Sequence, residues 1–157
     1  MADDFIAKDD YKYINFTKKD IEIIKRIKDY SKRNCRKEIE TSYITYTLNN
    51  FDYGFSFFRT EILNKDKTEK NRPCAFACVK IDEEDENTMY LILICSIKNK
   101  DNLGSQILNK VIEYAKNNKI TKIRLECSKS VMKFYEKYDF IENGKLEKNM
   151  INMSRII

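Results

Sequence analysis

Apolar residues recur every three or four positions in two long segments, the spacing that places them on one face of a helix. In Lys18–Arg33 lysines stand between the apolar positions, and Thr17 with Asp20 approximates a capping box at the start. Gly104–Asn118 has the clearer apolar face of the two. The apolar positions are Ile21, Ile24, Ile27 and Tyr30 in the first segment and Ile107, Leu108, Val111, Ile112 and Ala115 in the second.

Shorter apolar or alternating segments predict strands. Two of them are separated by the acidic stretch DEEDENT, which predicts an antiparallel hairpin with a solvated tip. In another, the residues alternate between apolar and charged, so Glu126 and Cys127 are expected on opposite faces of the sheet. The predicted strands are Tyr11–Phe16, Phe55–Leu63, Cys74–Ile81, Met89–Ile97, Thr121–Cys127 and Met150–Ile156.

The remaining segments complete the expected architecture. Lys129–Tyr138 predicts a short helix, and the polar stretch Asn64–Arg72 before Pro73 predicts a loop. Lys37–Asn50 fits a helix and a strand equally well. Antiparallel strands followed by a β-α-β-α-β order predict an α/β (α+β) fold: a central mixed, mostly antiparallel sheet with helices on both faces. We expect residues 1–157 to form a single domain.

Composition limits the chemistry. The chain has 157 residues, of which 42% are hydrophobic and 35% charged, a balance typical of a folded soluble domain. It contains no histidine, which excludes a Cys/His zinc site and any mechanism based on imidazole. We therefore expect no metal, and an acid and a base drawn from Glu, Asp, Tyr, Cys and Lys.

Charge, hydropathy and cysteine usage bear on partners and compartment. The net charge is +5, but the basic residues are spread along the chain, so no nucleic-acid partner is expected. No apolar run is long enough to cross a bilayer, and MADDFIAKDD lacks the basic-then-apolar order of a secretion signal. These features predict no membrane association and a cytoplasmic location. Cys78, Cys95 and Cys127 lie in apolar segments and are expected to act as small core residues rather than in a disulfide scaffold.

The stretch Ile123–Phe140 carries the candidate chemistry. It places Glu126 near the end of a strand and Tyr135 on the helix that follows. Acyl transfer from a thioester to an amine needs one group to take a proton from the amine and another to return one to the thiolate. A carboxylate and a phenol suit these two roles. The residues alone also allow a structural interpretation, in which Glu126 lies on a solvated strand face and Tyr135 belongs to the apolar stripe of its helix.

The turn from strand to helix at Lys98–Ser105 is a second candidate. The free N–H groups and the dipole of a helix amino terminus can hold a pyrophosphate, and Gly104 allows close approach of the backbone. By itself such a turn is more typical of an ordinary loop.

Taken with the segments that follow, this turn resembles the acetyl-CoA-binding turn of the GNAT acetyltransferases, Gln/Arg-x-x-Gly-x-Gly/Ala. Asn99 stands at the first position, and Asn102 and Gly104 stand at the two glycine positions. The resemblance implies acetyl-CoA as co-substrate, bound where two strands splay apart. The cofactor-binding residues that it implies are Ile92, Leu93, Ile94, Asn99, Lys100, Asp101, Asn102, Leu103, Gly104 and Ser105.

The segment KFYEKYDF resembles the FYEKxGF segment of these enzymes, which implies that Tyr135 protonates the departing thiolate. The spacing of LEC-x-x-x-x-V-x-FYEK is most similar to the glucosamine-6-phosphate N-acetyltransferase family. That resemblance implies that Glu126 receives the amine proton and that Thr121, Lys122 and Arg155 bind the acceptor. It further implies an amino-sugar phosphate as the acceptor, N-acetylglucosamine 6-phosphate as the product, and a homodimer.

Three alternatives stay open on the sequence. The first is a GNAT enzyme that acts on another amine, such as a protein amino terminus, a lysine or a polyamine. The second is a catalytically silent acetyl-CoA-binding module, since only one of the two glycine positions of the turn holds glycine. The third is a nucleic-acid binder.

Overall fold

The computed structural model describes residues 5–35, 39–63, 69–97, 102–146 and 149–157. In these ranges the chain forms a seven-stranded sheet with helices on both faces. The strands are β1 (Phe5–Phe16), β2 (Tyr53–Leu63), β3 (Glu69–Ile81), β4 (Thr88–Ser96), β5 (Lys122–Ser128), β6 (Ile141–Lys145) and β7 (Met150–Ile156). The helices are α1 (Ile21–Asn34), α2 (Thr41–Asn50), α3 (Leu103–Asn117) and α4 (Met132–Glu136), the last preceded by a 3-10 turn, Lys129–Val131.

The strand order is β1-β2-β3-β4-β5-β7-β6. The pair β4–β5 is parallel and the other neighbouring pairs are antiparallel. A parallel pair needs a crossover connection, and α3 supplies it. The predicted class, a mixed and mostly antiparallel sheet flanked by helices, is confirmed.

Each face of the sheet is covered by its own pair of helices. On one face α1 and α2 pack through Ile27, Ile44 and Leu48 against β3 and β4. On the other face α3 packs through residues such as Ile107 and Val111, and α4 contributes Tyr135. We call these the α1/α2 face and the α3/α4 face. None of the helices in the described ranges is long and apolar enough to cross a membrane.

The local structure corrects several predictions. The ambiguous segment before Phe51 contains α2, and α1 begins at Ile21, after an Asp20 whose carboxylate accepts a hydrogen bond from the Thr17 N–H at 2.8 Å. Part of the predicted loop belongs to β3, which starts at Glu69. The edge strand β6 was not predicted, because all five of its residues are exposed and show no apolar alternation.

The prediction for Cys95 was wrong. Cys95 forms a disulfide with Cys35, which joins the end of α1 to β4 across a sequence separation of 60 residues, with the two Cα atoms 6.1 Å apart. Such a pair becomes adjacent only when α1 packs on β4, which a local sequence pattern does not reveal. Cys78 and Cys127 are buried free thiols, as predicted.

Gly54 provides a stability prediction. It pairs with Phe16 across β1 and β2, and a Cβ at this position would lie well inside van der Waals distance of three atoms of the Phe16 ring. That ring is fully buried and packs against Phe51 with 5.2 Å between ring centroids, so it has little room to shift. We expect Gly54→Ala to lower the free energy of unfolding by about 1–3 kcal/mol, the usual cost of overpacking, as measured by urea denaturation. An unchanged midpoint would contradict this packing.

Candidate active site

The parallel strands β4 and β5 separate partway along their length. They pair from Thr88 and Lys122 to Leu91 and Leu125, and no further β4–β5 pair follows in the described residues. Beyond this point β4 continues beside β3 and β5 continues beside β7. The result is a V-shaped opening in the middle of the sheet, with backbone groups of two strands along its sides. The sequence-predicted residues Ile92, Leu93 and Ile94 lie on the β4 side of this opening.

A β-bulge begins where the opening begins. Leu91 pairs with Val79 and Leu93 with Cys78, so Ile92 is an extra residue without a counterpart on β3. An extra residue reverses the alternation of the strand. Accordingly, Met89 and Leu91 lie on the α3/α4 face, whereas Leu93 lies on the α1/α2 face. The bulge therefore marks the position at which the backbone of β4 leaves regular pairing.

Glu126 occupies the first open position on the other side of the V. It directly follows Leu125, the last residue of β5 paired with β4, just as Ile92 directly follows Leu91. Its neighbours Leu125 and Cys127 are buried on the α3/α4 face, so the alternation of β5 directs the exposed Glu126 to the α1/α2 face. The predicted opposite orientation of Glu126 and Cys127 is confirmed.

Tyr43 on α2 lies over this same region and was not predicted as a site residue. Its hydroxyl donates a hydrogen bond of 2.6 Å to the backbone carbonyl of Ile92. Burial raises the pKa of the Tyr43 phenol above its ordinary value; a hydrogen bond with Thr47 opposes the rise, and the Glu126 carboxylate adds to it. The signal in the sequence was the spacing of Ile44, Thr47 and Leu48, which form the buried stripe of α2 and leave Tyr43 beside it.

Tyr135 lies on the opposite face of the sheet from Glu126. It is 6% exposed and packs in the same core as Leu125 and Cys127. Its ring contacts Phe134 and Phe140 with centroid distances of 5.1 and 5.8 Å. The two predicted catalytic residues are thus placed on opposite faces of the sheet, with Glu126 beside the V.

The amino terminus of α3 converges with β4 and α4. Asn102, the residue before the helix, has φ 52° and ψ 47°, a left-handed backbone that asparagine adopts more readily than other non-glycine residues. A Cβ on Gly104 would stand 3.1 Å from Ser96 Oγ and 3.9 Å from Phe134 Cζ, so glycine allows the first turn to approach both neighbours. Leu103 is buried, and Ser105 follows in the first turn. The predicted residues Asn99, Lys100 and Asp101 lie outside the described residues.

The three predicted acceptor-binding residues are not brought together. Thr121 lies immediately before β5, where its N–H donates to the Asn87 carbonyl at 2.8 Å, and Lys122 is the first residue of the strand. Arg155 pairs with Ile123, so it faces the other side of the sheet from Lys122. The Arg155 guanidinium donates to the carbonyl of Tyr138 at 2.8 Å, close to the end of α4.

Arg124 is a cationic residue on the Glu126 face that sequence reasoning did not single out. It stands two residues before Glu126, about 7 Å along the strand. Its guanidinium carbon lies 5.7 Å from the centre of the Tyr90 ring, and its buried Nε has no hydrogen-bond partner among the described residues. The alternation of charged and apolar residues in β5 could have indicated it.

Two surface clefts lie away from the V-shaped opening. One, of about 560 Å³, is lined by residues of α4 and β6 that include Glu136, Asp139 and Glu142. Another, of about 550 Å³, is lined by Arg26, Arg33 and Arg72 together with Asp29 and polar neighbours. Across the part of the chain that the structure describes, no group of three or more Cys, Asp or Glu residues is placed to hold a metal ion.

Comparison with known proteins identifies the family. The family model described as "Acetyltransferase (GNAT) domain" matches residues 67–153, which is more than half of the 157-residue chain. No curated protein sequence matches the chain.

Solved structures share the fold at low sequence identity. The ribosomal-protein-S18-alanine N-acetyltransferase from Escherichia coli matches with a TM-score of 0.66 and 13% identity, over 94% of each chain. The IAA acetyltransferase from Bacillus cereus matches with a TM-score of 0.61 and 13% identity, over 94% of this chain and 100% of that one. The aminoglycoside 6'-acetyltransferase type Ii matches with a TM-score of 0.64 and 12% identity, over 92% of this chain and 96% of that one.

The names of these proteins give different acceptors, so what they share with this protein is the overall fold. The family match covers β4, α3, β5 and α4, the elements that surround the V between β4 and β5. The chain belongs to the GNAT acetyltransferase family, whose enzymes use acetyl-CoA to acetylate amines.

Proposed function

We propose that this protein transfers the acetyl group of acetyl-CoA to a primary amine bound on the α1/α2 face, with Glu126 as the base and Tyr135 as the acid. The observation that carries the proposal is the V-shaped opening between β4 and β5, with Glu126 at its first open position and Tyr135 on the opposite face. A thioester held in this opening has one side toward each group.

The cofactor is proposed to lie along β4 and the turn that follows it. Past Leu91 the backbone of Ile92, Leu93 and Ile94 is not paired with β5 in the described residues, which leaves that side of the strand for the amide groups of the pantetheine arm. The N–H groups of the first turn of α3, from Leu103 to Ser105, suit the diphosphate. Asn99, Lys100 and Asp101 remain predictions for the same turn.

The reaction is a direct transfer. Glu126 accepts a proton from the acceptor ammonium, and the nitrogen lone pair attacks the acetyl carbonyl carbon. The C–N bond forms, the nitrogen of the tetrahedral intermediate loses its second proton to solvent, and the C–S bond breaks, so the acetyl group passes to nitrogen and the sulfur leaves as a thiolate. Tyr135 donates its phenolic proton to that thiolate and recovers a proton from solvent after the products leave. No cysteine nucleophile is needed, because no acyl-enzyme is formed.

Glucosamine 6-phosphate is the acceptor that we propose first. Its support is the distribution of charge on the Glu126 face, where Arg124 lies about 7 Å and Lys122 about 13 Å along β5 from the carboxylate. An amine at Glu126 and an anionic group at Arg124 fit an amino-sugar phosphate, and a guanidinium suits phosphate well. Thr121 and Arg155 are weaker candidates, since Thr121 is bonded to Asn87 and Arg155 to Tyr138 on the other face.

Removal of the Arg124 guanidinium tests whether this residue binds the phosphate of the acceptor. We expect Arg124→Gln to raise the KM for glucosamine 6-phosphate at least about tenfold, because one charge-assisted contact to phosphate is lost, and to leave the KM for unphosphorylated glucosamine unchanged. Arg59→Gln is a matched control, since Arg59 also lies over a tyrosine ring, 5.8 Å from Tyr11, on the distant strand β2. Equal effects on the two sugars would contradict a phosphate contact at Arg124.

A panel of amines tests the activity as a whole. The protein is incubated with acetyl-CoA and each acceptor, and release of the CoA thiol is followed together with mass detection of the N-acetyl product. Acceptors include glucosamine 6-phosphate, a peptide with a free amino terminus, a peptide lysine and spermidine. Turnover with any of these supports the acetyltransferase proposal and identifies the acceptor, whereas binding of acetyl-CoA without turnover would indicate a silent binding module.

The oligomeric state and the compartment are also proposals. A homodimer is proposed from the resemblance of LEC-x-x-x-x-V-x-FYEK to the glucosamine-6-phosphate N-acetyltransferase family, and sedimentation velocity tests it. A cytoplasmic location is supported by the buried free thiols of Cys78 and Cys127, whereas the Cys35–Cys95 disulfide is a feature more common in oxidising compartments.

A further inference from the structure

The contact between Tyr43 and Ile92 joins helix α2 to the carbonyl at the centre of the β-bulge. The phenolic proton is committed to that carbonyl, at 2.6 Å. The phenol also has a hydrogen bond with Thr47, so one lone pair of its oxygen is left for a further donor. Tyr43 is 45% exposed, so part of its side chain is open to solvent.

The strand register places the Glu126 carboxylate near the Tyr43 hydroxyl and the Ile92 carbonyl. Ile92 and Glu126 each follow the last paired residues of β4 and β5, so they face each other across the start of the V. Glu126 lies on the α1/α2 face, the face that carries Tyr43. The negative charge of Glu126 also acts on the Tyr43 phenol, whose pKa is raised chiefly by burial and further by this carboxylate. The phenol therefore remains protonated near neutral pH, as a neutral group that can both donate and accept.

We propose that Tyr43, the Ile92 carbonyl and Glu126 together receive the three N–H groups of a primary ammonium, and that Tyr43 is thereby a residue that determines acceptor specificity. This inference rests on the proposed function. A protonated primary amine has three donors, and the cluster supplies three oxygen acceptors: the Tyr43 phenol oxygen, the second lone pair of the Ile92 carbonyl and the Glu126 carboxylate. Glu126 takes one of the three protons when the reaction starts, the nitrogen then turns so that the freed lone pair faces the acetyl carbonyl carbon, and a second proton leaves nitrogen after the C–N bond has formed.

The cluster discriminates between classes of amine. A protonated secondary amine has two N–H donors, so one of the three oxygens is left without a partner. Leaving a buried or half-buried acceptor unpaired beside a charge costs about as much as a hydrogen bond to a charged group. The expected preference for a primary amine over its N-methyl derivative is therefore about tenfold or more in kcat/KM, beyond the effect of the methyl group on nucleophilicity.

A purely structural role for Tyr43 has a different signature. If the phenol only ties α2 to β4, its removal disturbs every acceptor to the same extent and leaves the ratio between primary and secondary amines unchanged. The ratio is thus the quantity to measure. Tyr46 provides the matched control, since it lies on the same helix, is 65% exposed and is a tyrosine of the same size.

The experiment compares wild type, Tyr43→Phe and Tyr46→Phe with one primary amine and its N-methyl derivative. The primary amine is the best acceptor found in the panel described above. We expect Tyr43→Phe to reduce kcat/KM for the primary amine about tenfold, to affect the N-methyl amine much less, and to leave the KM for acetyl-CoA unchanged. Tyr46→Phe is expected to match wild type in all three quantities. Circular dichroism melts verify that all three proteins are folded to the same extent.

The outcomes separate this inference from the proposed function. Acetyl transfer by wild type with the same primary-to-secondary ratio in Tyr43→Phe overturns the inference and leaves the proposed function intact. Values of kcat/KM for the two amines that are the same in Tyr43→Phe and Tyr46→Phe also overturn the inference and leave the proposed function intact. A wild-type protein that acetylates no primary amine overturns both. A selective loss of primary-amine activity supports both.

Discussion

Glu126→Gln is expected to lower kcat for acetyl transfer by about 10²–10⁴-fold, the usual contribution of a positioned general base. Glutamine keeps the size and the hydrogen-bonding reach of the side chain but does not accept the ammonium proton. In the variant only amine that is already deprotonated in solution reacts. The residual rate should therefore rise about tenfold per pH unit below the pKa of the acceptor. Steady-state kinetics between pH 6 and about 9 measure both effects.

The control for this variant is Glu142→Gln. Glu142 is an exposed carboxylate on the edge strand β6, away from the V, and its replacement changes the net charge by the same amount. Calorimetry with CoA should give the same affinity for wild type and both variants. A Glu126→Gln enzyme that retains more than about a third of the wild-type kcat would show that another group takes the proton.

Tyr135→Phe is expected to lower kcat by about 10²-fold or more, because the departing thiolate loses its proton donor. The substitution retains the ring that packs against Phe134 and Phe140, so the melting temperature should change little. The KM for both substrates should stay near the wild-type value, since the proton is transferred after binding. Steady-state kinetics and a thermal melt of the same preparation test both expectations.

This variant also separates the two interpretations that the sequence allowed for Tyr135. A tyrosine that is only part of the core is buried just as a catalytic one is, and at 6% exposure the burial of Tyr135 fits both. The core interpretation predicts an unchanged rate. Tyr138→Phe is the matched control, because Tyr138 follows shortly after α4 and packs on Phe134 with 5.7 Å between ring centroids. Equal rates in the two variants would leave Tyr135 without a catalytic role.

Elements with a strong apolar period were predicted well from the sequence. The apolar face of Gly104–Asn118 became α3, whose bounds differ by one residue at each end, and Met150–Ile156 became β7 with the same bounds. The alternation in β5 correctly placed Glu126 opposite to Cys127. These patterns are local, because the side-chain period of a helix or strand depends only on its own backbone.

Segments without such a period were not predicted. The segment that became α2 is rich in β-branched and aromatic residues such as Tyr43, Ile44 and Thr47, which favour strands, and its helix is stabilised by packing on β3 and β4. The strand β6 is exposed throughout, and only its pairing with β7 defines it. In both cases the deciding interaction is with a distant part of the chain.

In the candidate site, too, the residues in local sequence motifs were predicted, and those placed by contacts between distant segments were not. Its carboxylate, its phenol and the glycine turn were found from motifs that are contiguous in sequence. Tyr43 was not found, because it reaches Ile92 across 49 residues through a hydrogen bond that exists only when α2 lies on β4. Arg155 was grouped with Lys122 on the basis of resemblance, whereas the register of β7 with β5 places the two on opposite faces.

The order of hydrophobic and polar residues by itself determined the mixed sheet with helices on both faces and the orientation of Glu126, since both follow from the side-chain period of each element and the order of the elements along the chain. The tertiary structure alone decided the residues at which β4 and β5 separate, the bulge at Ile92, the position of Tyr43 over it and the Cys35–Cys95 bond. A single extra residue in one strand reverses the faces of all that follow, and contacts between distant elements depend on how their surfaces pack.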